Sequence, residues 1–181
     1  MQTTITPIVL ITGGTSGIGE ACAHRYAKEG YRLILCGRRA ERLEALAQKL
    51  SEDFDTDALV LVFDVRDRVQ TSHALSSLPE EWKGIRILVN NAGLAAGLNS
   101  LQEGDVDDWE QMIDTNVKGL LYVSREIAPI MIAQGKGHIV NIGSIAGKEV
   151  YPNGAVYSAT KHAVDALTKG MRMDLLKHGI R

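Results

Sequence analysis

Two segments of this sequence place chemically active side chains at informative spacings. In Tyr157-Ser158-Ala159-Thr160-Lys161 a phenol and an ammonium stand four residues apart. On a helix, that spacing puts both on one face. A free phenol is a poor base near neutrality. An ammonium about 4 Å away, at an effective dielectric of about 20, favours the phenolate by roughly 4 kcal/mol before desolvation opposes it. A tyrosine so placed can exchange a proton with an alcohol or carbonyl oxygen. The pair alone equally describes an exposed Tyr and Lys on a helix surface. The second segment is Thr12-Gly13-Gly14-Thr15-Ser16-Gly17-Ile18-Gly19. Its glycines permit a tight turn and close backbone approach to a ligand. The helix expected after it offers free N–H groups and a positive dipole end to a pyrophosphate. The spacing is G-x-x-x-G-x-G rather than G-x-G-x-x-G, and no Gly-Lys-Ser/Thr follows. A turn that merely lets a helix pack on a sheet is the alternative.

Positioning these groups falls to an alternation of short β-branched runs and longer helical patterns, which predicts βαβ units and a parallel sheet. Strands are expected at Pro7–Thr12, Tyr31–Gly37, Ala58–Asp64, Ile85–Asn90 and His138–Ile142. The third is a continuous apolar run, as suits a strand buried on both faces. Helices are expected at about Gly17–Glu29, Ala40–Leu50, Arg66–Leu78, Val106–Gln134 and Ala155–Lys177. Gly30 and Gly179 are suited to end two of them. The expected fold is a single α/β domain over residues 1–181. It has a doubly wound parallel sheet in a Rossmann-like three-layer αβα arrangement, with ligands beyond the carboxyl ends of the strands. Gly179-Ile180-Arg181 reads as the approach to a sixth strand, so the domain is expected to be cut short at its C-terminus with the fifth strand left as an edge.

Three further segments fall at that same carboxyl edge or in the long helix. Asn90-Asn91-Ala92-Gly93 ends the fourth strand, Asn141-Ile142-Gly143-Ser144 ends the fifth, and Asn116 interrupts the long helix. Asn is a middling helix former, so an interior one has a packing or functional reason. Turn chemistry and a satisfied core amide are the plainer readings. Gly37-Arg38-Arg39 closes the second strand, where an acidic residue would bind a ribose 2'-hydroxyl. A guanidinium there favours a 2'-phosphate instead, with a solvated Arg pair as the competitor.

Composition narrows the partners. Lys plus Arg number 20 and Asp plus Glu 22, a net charge of -2, so no bulk charge calls for nucleic acid or a membrane surface. Neither a signal peptide nor an apolar stretch of roughly 20 residues is visible. Cys22 and Cys36 are too few for a disulfide framework and lack metal-ligand spacing, so no metal is expected. They read as small buried hydrophobes of a cytoplasmic protein.

Taken in order, the glycine loop, the three further segments and the Tyr/Lys pair resemble the short-chain dehydrogenase/reductase family from about Ile8 to Arg181. The resemblance implies an oxidoreductase that moves a hydride between nicotinamide and a small alcohol or carbonyl substrate. It implies Asn116, Ser144, Tyr157 and Lys161 as the catalytic set. Tyr157 would be the general acid/base and Ser144 would bond the same substrate oxygen. Lys161 would hold the nicotinamide ribose and favour the Tyr157 phenolate, and Asn116 would anchor a proton-relaying water. Gly13, Thr15, Ser16, Gly17, Ile18 and Gly19 would surround the pyrophosphate. Arg38 and Arg39 would favour NADP(H), with NAD(H) still possible. Asp64 and Val65 would meet the adenine, and Asn91, Ala92 and Gly93 would lie beside the ribose with Tyr157 and Lys161. Residues 37–43, 90–95 and 108–116 resemble the NADP-dependent 3-hydroxy acid (serine) dehydrogenases, which implies a substrate such as serine or allo-threonine. The resemblance also implies a homodimer or homotetramer formed through the long and last helices. Leu120, Val123, Ile127, Val164 and Leu167 could serve that interface or the core. Family members usually run to about 250 residues as one domain. A non-catalytic nucleotide-binding or interaction module, lacking the substrate lid, is therefore the alternative.

Overall fold

The computed structural model describes residues 6–181. At its centre is β1 (Ile8–Thr12), buried along its whole length. Its side chains alternate between two cores, as the pleat requires. Ile8 and Leu10 point to one, Val9 and Ile11 to the other. The sheet is completed by β2 (Arg32–Gly37), β3 (Ala58–Val62), β4 (Ile85–Asn90) and β5 (His138–Asn141), all parallel, in the order β3-β2-β1-β4-β5.

On one face lie α1 (Gly17–Lys28) and α2 (Ala40–Phe54). Ala23 and Ala27 let α1 approach the sheet closely, while Leu43, Leu46 and Leu50 form the buried stripe of α2. The other face carries α3 (Arg68–Ser76), α5 (Leu120–Gln134) and the end of α6 (Ala155–Leu175), through Leu75, Val123, Ile127, Met131 and Leu175. Each fully buried Leu or Ile stabilises the fold by roughly 1.5–3 kcal/mol. Caps set two boundaries. Asp67 Oδ1 accepts from the Val69 and Gln70 amides at 2.9 and 3.0 Å to start α3, and Asp105 accepts from Asp107 to start α4 (Val106–Ile113).

Several sequence expectations need correction. β3 is an edge strand whose residues are half-buried or exposed, so its apolar run does not mark burial on both faces. The α2 helix runs four residues beyond Leu50, to Phe54, and Asp55 ends it with φ +53°. The long helix is not uniform, because a π-helical segment, Asp114–Gly119, separates α4 from α5. Leu120, Val123, Ile127 and Val164 are buried within the chain, and Leu167 is half-buried. Cys36 is fully buried, which holds its thiol well above the usual range, whereas Cys22 is only half-buried; both are free. At the chain end Ile180 forms an isolated parallel bridge with Gly137, just before β5. Gly137 O accepts from the Arg181 amide at 3.1 Å, and Ile139 N donates to Arg181 O at 2.8 Å.

Candidate active site

Strand order reverses between β1 and β4, since the chain steps outward from β1 to β2 and β3 and then returns to the far side. A crevice must open where the two crossovers diverge. It is lined at the carboxyl ends of these strands by Gly13 and by Asn91, Ala92 and Gly93, within a cleft of about 470 Å³.

Thr12 welds the two strand ends together. Its buried Oγ1 accepts from the Asn91 and Ala92 amides at 3.1 and 3.0 Å. Asn91 completes the weld from the other side, donating through Nδ2 to Thr12 O at 3.0 Å and to Gly13 O at 2.9 Å. Its amide therefore faces the glycine turn. Gly13 sits at φ +66° and Gly17 at φ +57°, a region that disfavours any side chain. Gly13, Thr15, Ser16 and Ile18 line the cleft, whereas Gly17 and Gly19 lie outside its lining. Gly19 is buried, and a Cβ there would overlap Asn91 Nδ2 and Gly13 O. Gly19→Ala should consequently push Asn91 off the turn. Overpacking of this kind costs about 1–3 kcal/mol, and nucleotide affinity should fall at least about tenfold. Denaturant midpoints and nucleotide titration check this; a variant that binds like its parent would mean the turn relaxes freely.

Ser16 precedes α1 in extended conformation and makes no side-chain cap, so the first amides of the helix keep their donors for a ligand. Ile18 is 58% exposed at the lip of the cleft. At the far end stand Arg38 and Arg39, just past β2. Arg39 Nη2 donates to Thr15 Oγ1 and, at 3.4 Å, to Ser16 Oγ. Asp64 and Val65 close that end. Burial works to raise the Asp64 pKa, but hydrogen bonds and charge from Arg66, with Arg38 beyond, hold it below the usual carboxylate value.

Tyr157 and Lys161 line the opposite end of the same cleft. Both belong to the first two turns of α6, and Lys161 Nζ lies 5.9 Å from the Tyr157 ring centroid. The ammonium donates to Ile142 O at 2.9 Å, and burial depresses its pKa. Asn116 is brought in by the π segment. Its Nδ2 donates to Leu94 O at 2.8 Å and Thr160 Oγ1 at 3.0 Å, and its Oδ1 accepts from the Leu94 amide at 2.9 Å. The side chain thereby clamps the loop after β4 onto α6. A Cβ at Gly93 would lie 3.2 Å from Asn116 Oδ1 and 3.6 Å from Lys161 Nζ, so these three groups are immediate neighbours. Ser144 follows β5 at the same sheet edge but does not line the cleft, where Gly143 stands instead. Ser144 Oγ accepts from the Ala146 amide at 3.1 Å, which leaves the hydroxyl proton to donate elsewhere.

Sequence reasoning missed Thr12 and Arg66. Thr12 carried a signal in its polarity at the end of an otherwise apolar strand. Arg66 carried one in the Asp64-x-Arg66 spacing.

A cleft at the switch point, with a glycine turn at one end and a Tyr/Lys pair at the other, defines a nucleotide-binding oxidoreductase domain. The chain belongs to the short chain dehydrogenase family, whose model matches residues 7–181. It is 48% identical over 172 residues to the NADP-dependent 3-hydroxy acid dehydrogenase YdfG of Salmonella typhi, covering 95% of this chain and 67% of that one. It is also 47% identical over 175 residues to sulfoacetaldehyde reductase 2 of Chromohalobacter salexigens, covering 96% and 69%. Among solved structures, the closed form of serine dehydrogenase complexed with NADP+ superposes with a TM-score of 0.88 at 45% identity, covering 96% of this chain and 68% of that one. The chain thus spans about two thirds of the length of these curated relatives.

Proposed function

We propose that this chain is the cofactor-binding and catalytic part of an NADP-dependent dehydrogenase of small 3-hydroxy acids such as serine or allo-threonine. The observation that carries the reading is that Tyr157 and Lys161 line the same cleft as the glycine turn and Arg38/Arg39. The site fits the cofactor on its own chemistry. It has uncapped amides at α1 for the pyrophosphate and two guanidiniums where a 2'-phosphate would fall. Gly93 sits beside Lys161 where a ribose would pass. The names of two of the relatives described above point to NADP and to hydroxy acids in those proteins. Nothing in the site favours the non-catalytic module.

Bound nicotinamide supplies the acceptor or donor of a hydride. The protein's part is to move the proton and hold the oxygen. In this proposal Tyr157 exchanges the proton with the substrate oxygen, Ser144 donates to that oxygen, and Lys161 orients the ribose. Both amide protons of Asn116 are already donated. A water relay there would use the second lone pair of Oδ1 or the main-chain carbonyl. Exposed Ile113 and Leu121 on the central helices, with Met173 near the end of α6, support pairing with a second copy. Two free thiols suit the cytoplasm.

The deciding assay follows formation of reduced cofactor with serine, allo-threonine and 3-hydroxyisobutyrate, with sulfoacetaldehyde tested in the reductive direction. Turnover is expected with the hydroxy acids, with kcat/KM at least about tenfold higher for NADP than for NAD. Equal use of NAD would sink the cofactor reading, and preference for sulfoacetaldehyde the substrate reading.

A further inference from the structure

The adenosine end of the cleft contains a carboxylate where a second phosphate is proposed to bind. Asp64 lines the cleft beside Arg38 and Arg39, and an unpaired carboxylate there would repel a 2'-phosphate and attract the guanidinium meant for it. In the structure the Asp64 carboxylate is held mainly by Arg66, and Arg38 only approaches it. Arg66, outside the cleft lining, grips Asp64 from behind. Its Nε lies 3.1 Å from Oδ1 and 2.9 Å from Oδ2, its Nη2 lies 2.7 Å from Oδ2, and its backbone amide donates to Oδ1 at 3.0 Å. Both carboxylate oxygens are thus engaged by one residue. Arg38 Nη1 stays 3.9 Å from Oδ2, a loose ion pair without a hydrogen bond, and its side chain is 59% exposed. The next carboxylate felt by Arg66, Asp114, is itself paired with Lys118 at 2.7 Å.

We propose that Arg66 is a positioning residue for cofactor choice: its grip on Asp64 keeps Arg38 only loosely paired there, so that it can pair with a 2'-phosphate alongside Arg39. The inference rests on the NADP reading above and extends it to a residue outside the cleft wall. In the absence of Arg66, Asp64 draws Arg38 to itself and turns its bare charge on the phosphate. Asp64 then discriminates against the phosphorylated ribose while still tolerating the plain one.

The test compares two probes, 2',5'-ADP and 5'-AMP, which share adenine, ribose and 5'-phosphate and differ only in the 2'-phosphate. Their Kd values are measured calorimetrically at one fixed ionic strength on the 181-residue chain and its variants. The unsubstituted chain should prefer 2',5'-ADP. In Arg66→Ala that preference should fall about tenfold, the scale of one charge-assisted bond, with 5'-AMP affinity held within about twofold. Adding Asp64→Asn to Arg66→Ala should restore most of the preference, because the unpaired charge is then gone. Arg66→Lys keeps the charge without the fork and should lose about threefold; it carries the test if the alanine variant does not fold. A preference that survives Arg66→Ala, or a loss shared equally by both probes, overturns the role of Arg66 and leaves the cofactor reading standing. No preference in the unsubstituted chain overturns the cofactor reading, and this inference with it.

Discussion

Tyr157→Phe is expected to lower kcat by about a thousandfold or more while cofactor affinity stays within about twofold. A positioned general acid/base contributes roughly 10²–10⁴ in rate, and Phe removes only the hydroxyl to which the proposal gives that role. The ring remains, so the packing of Lys161 over it at 5.9 Å is preserved and the fold should be unperturbed. Tyr157 borders both the main cleft and a small pocket beneath the loop after β4, so the substitution falls on a residue that lines both spaces. Steady-state rates and a cofactor titration on the same preparation separate the two effects. A variant retaining more than about a tenth of the parent kcat would mean another group moves the proton.

Lys161→Met is expected to cost a similar factor in activity without a matching cost in stability. Lys161 is 8% exposed, and its ammonium has a carbonyl, Ile142 O, as its acceptor and no carboxylate partner among the described residues. Burial of such a charge is unfavourable. Methionine has similar length and no charge to desolvate, so the lost charge-assisted bond to Ile142 O, worth about 1.5–3 kcal/mol, is offset. The folded variant should be within about 1 kcal/mol of the parent or more stable. The pH dependence carries the sign. Burial sets the folded-state pKa of Lys161 below the ordinary 10.5. At neutral pH both states are protonated and the parent bears the full cost of the buried ammonium. As pH rises through the folded-state value toward 10.5, the unfolded state holds more protons, so the Lys161 contribution to stability improves. Any stability advantage of Lys161→Met should therefore shrink across that alkaline window. Denaturant melts at neutral and alkaline pH check this, and a variant several kcal/mol less stable at neutral pH would show that the lysine supports the fold.

What local pattern carries was legible in the residues themselves. Short β-branched, apolar runs placed β1, β2 and β4, and leucines at helical spacing placed α2. The positive φ of Gly13, Gly17 and Gly30 follows from residue type at a turn or helix end, and four-residue spacing put Tyr157 and Lys161 on one face of α6. These depend on neighbours within a turn or two, so composition and spacing suffice. Features built from distant segments were not legible. The weld of Thr12 to Asn91 joins residues 79 apart, and the Asn116–Thr160 bond joins residues 44 apart. Both come from side chains whose types allow many partners. The π segment belongs to the same class. Asn116 reaches Leu94 and Thr160 from within it, and Gly119 is so close to Val65 that a Cβ would meet Cγ2 at 2.8 Å. A helical periodicity does not report such a break, because its cause lies in what the helix packs against. Only the assembled sheet put β3 at an edge and turned Asn91 inward toward the glycines. A strand's neighbours and a short amide's partners are chosen by topology, which strand-by-strand hydrophobicity leaves open.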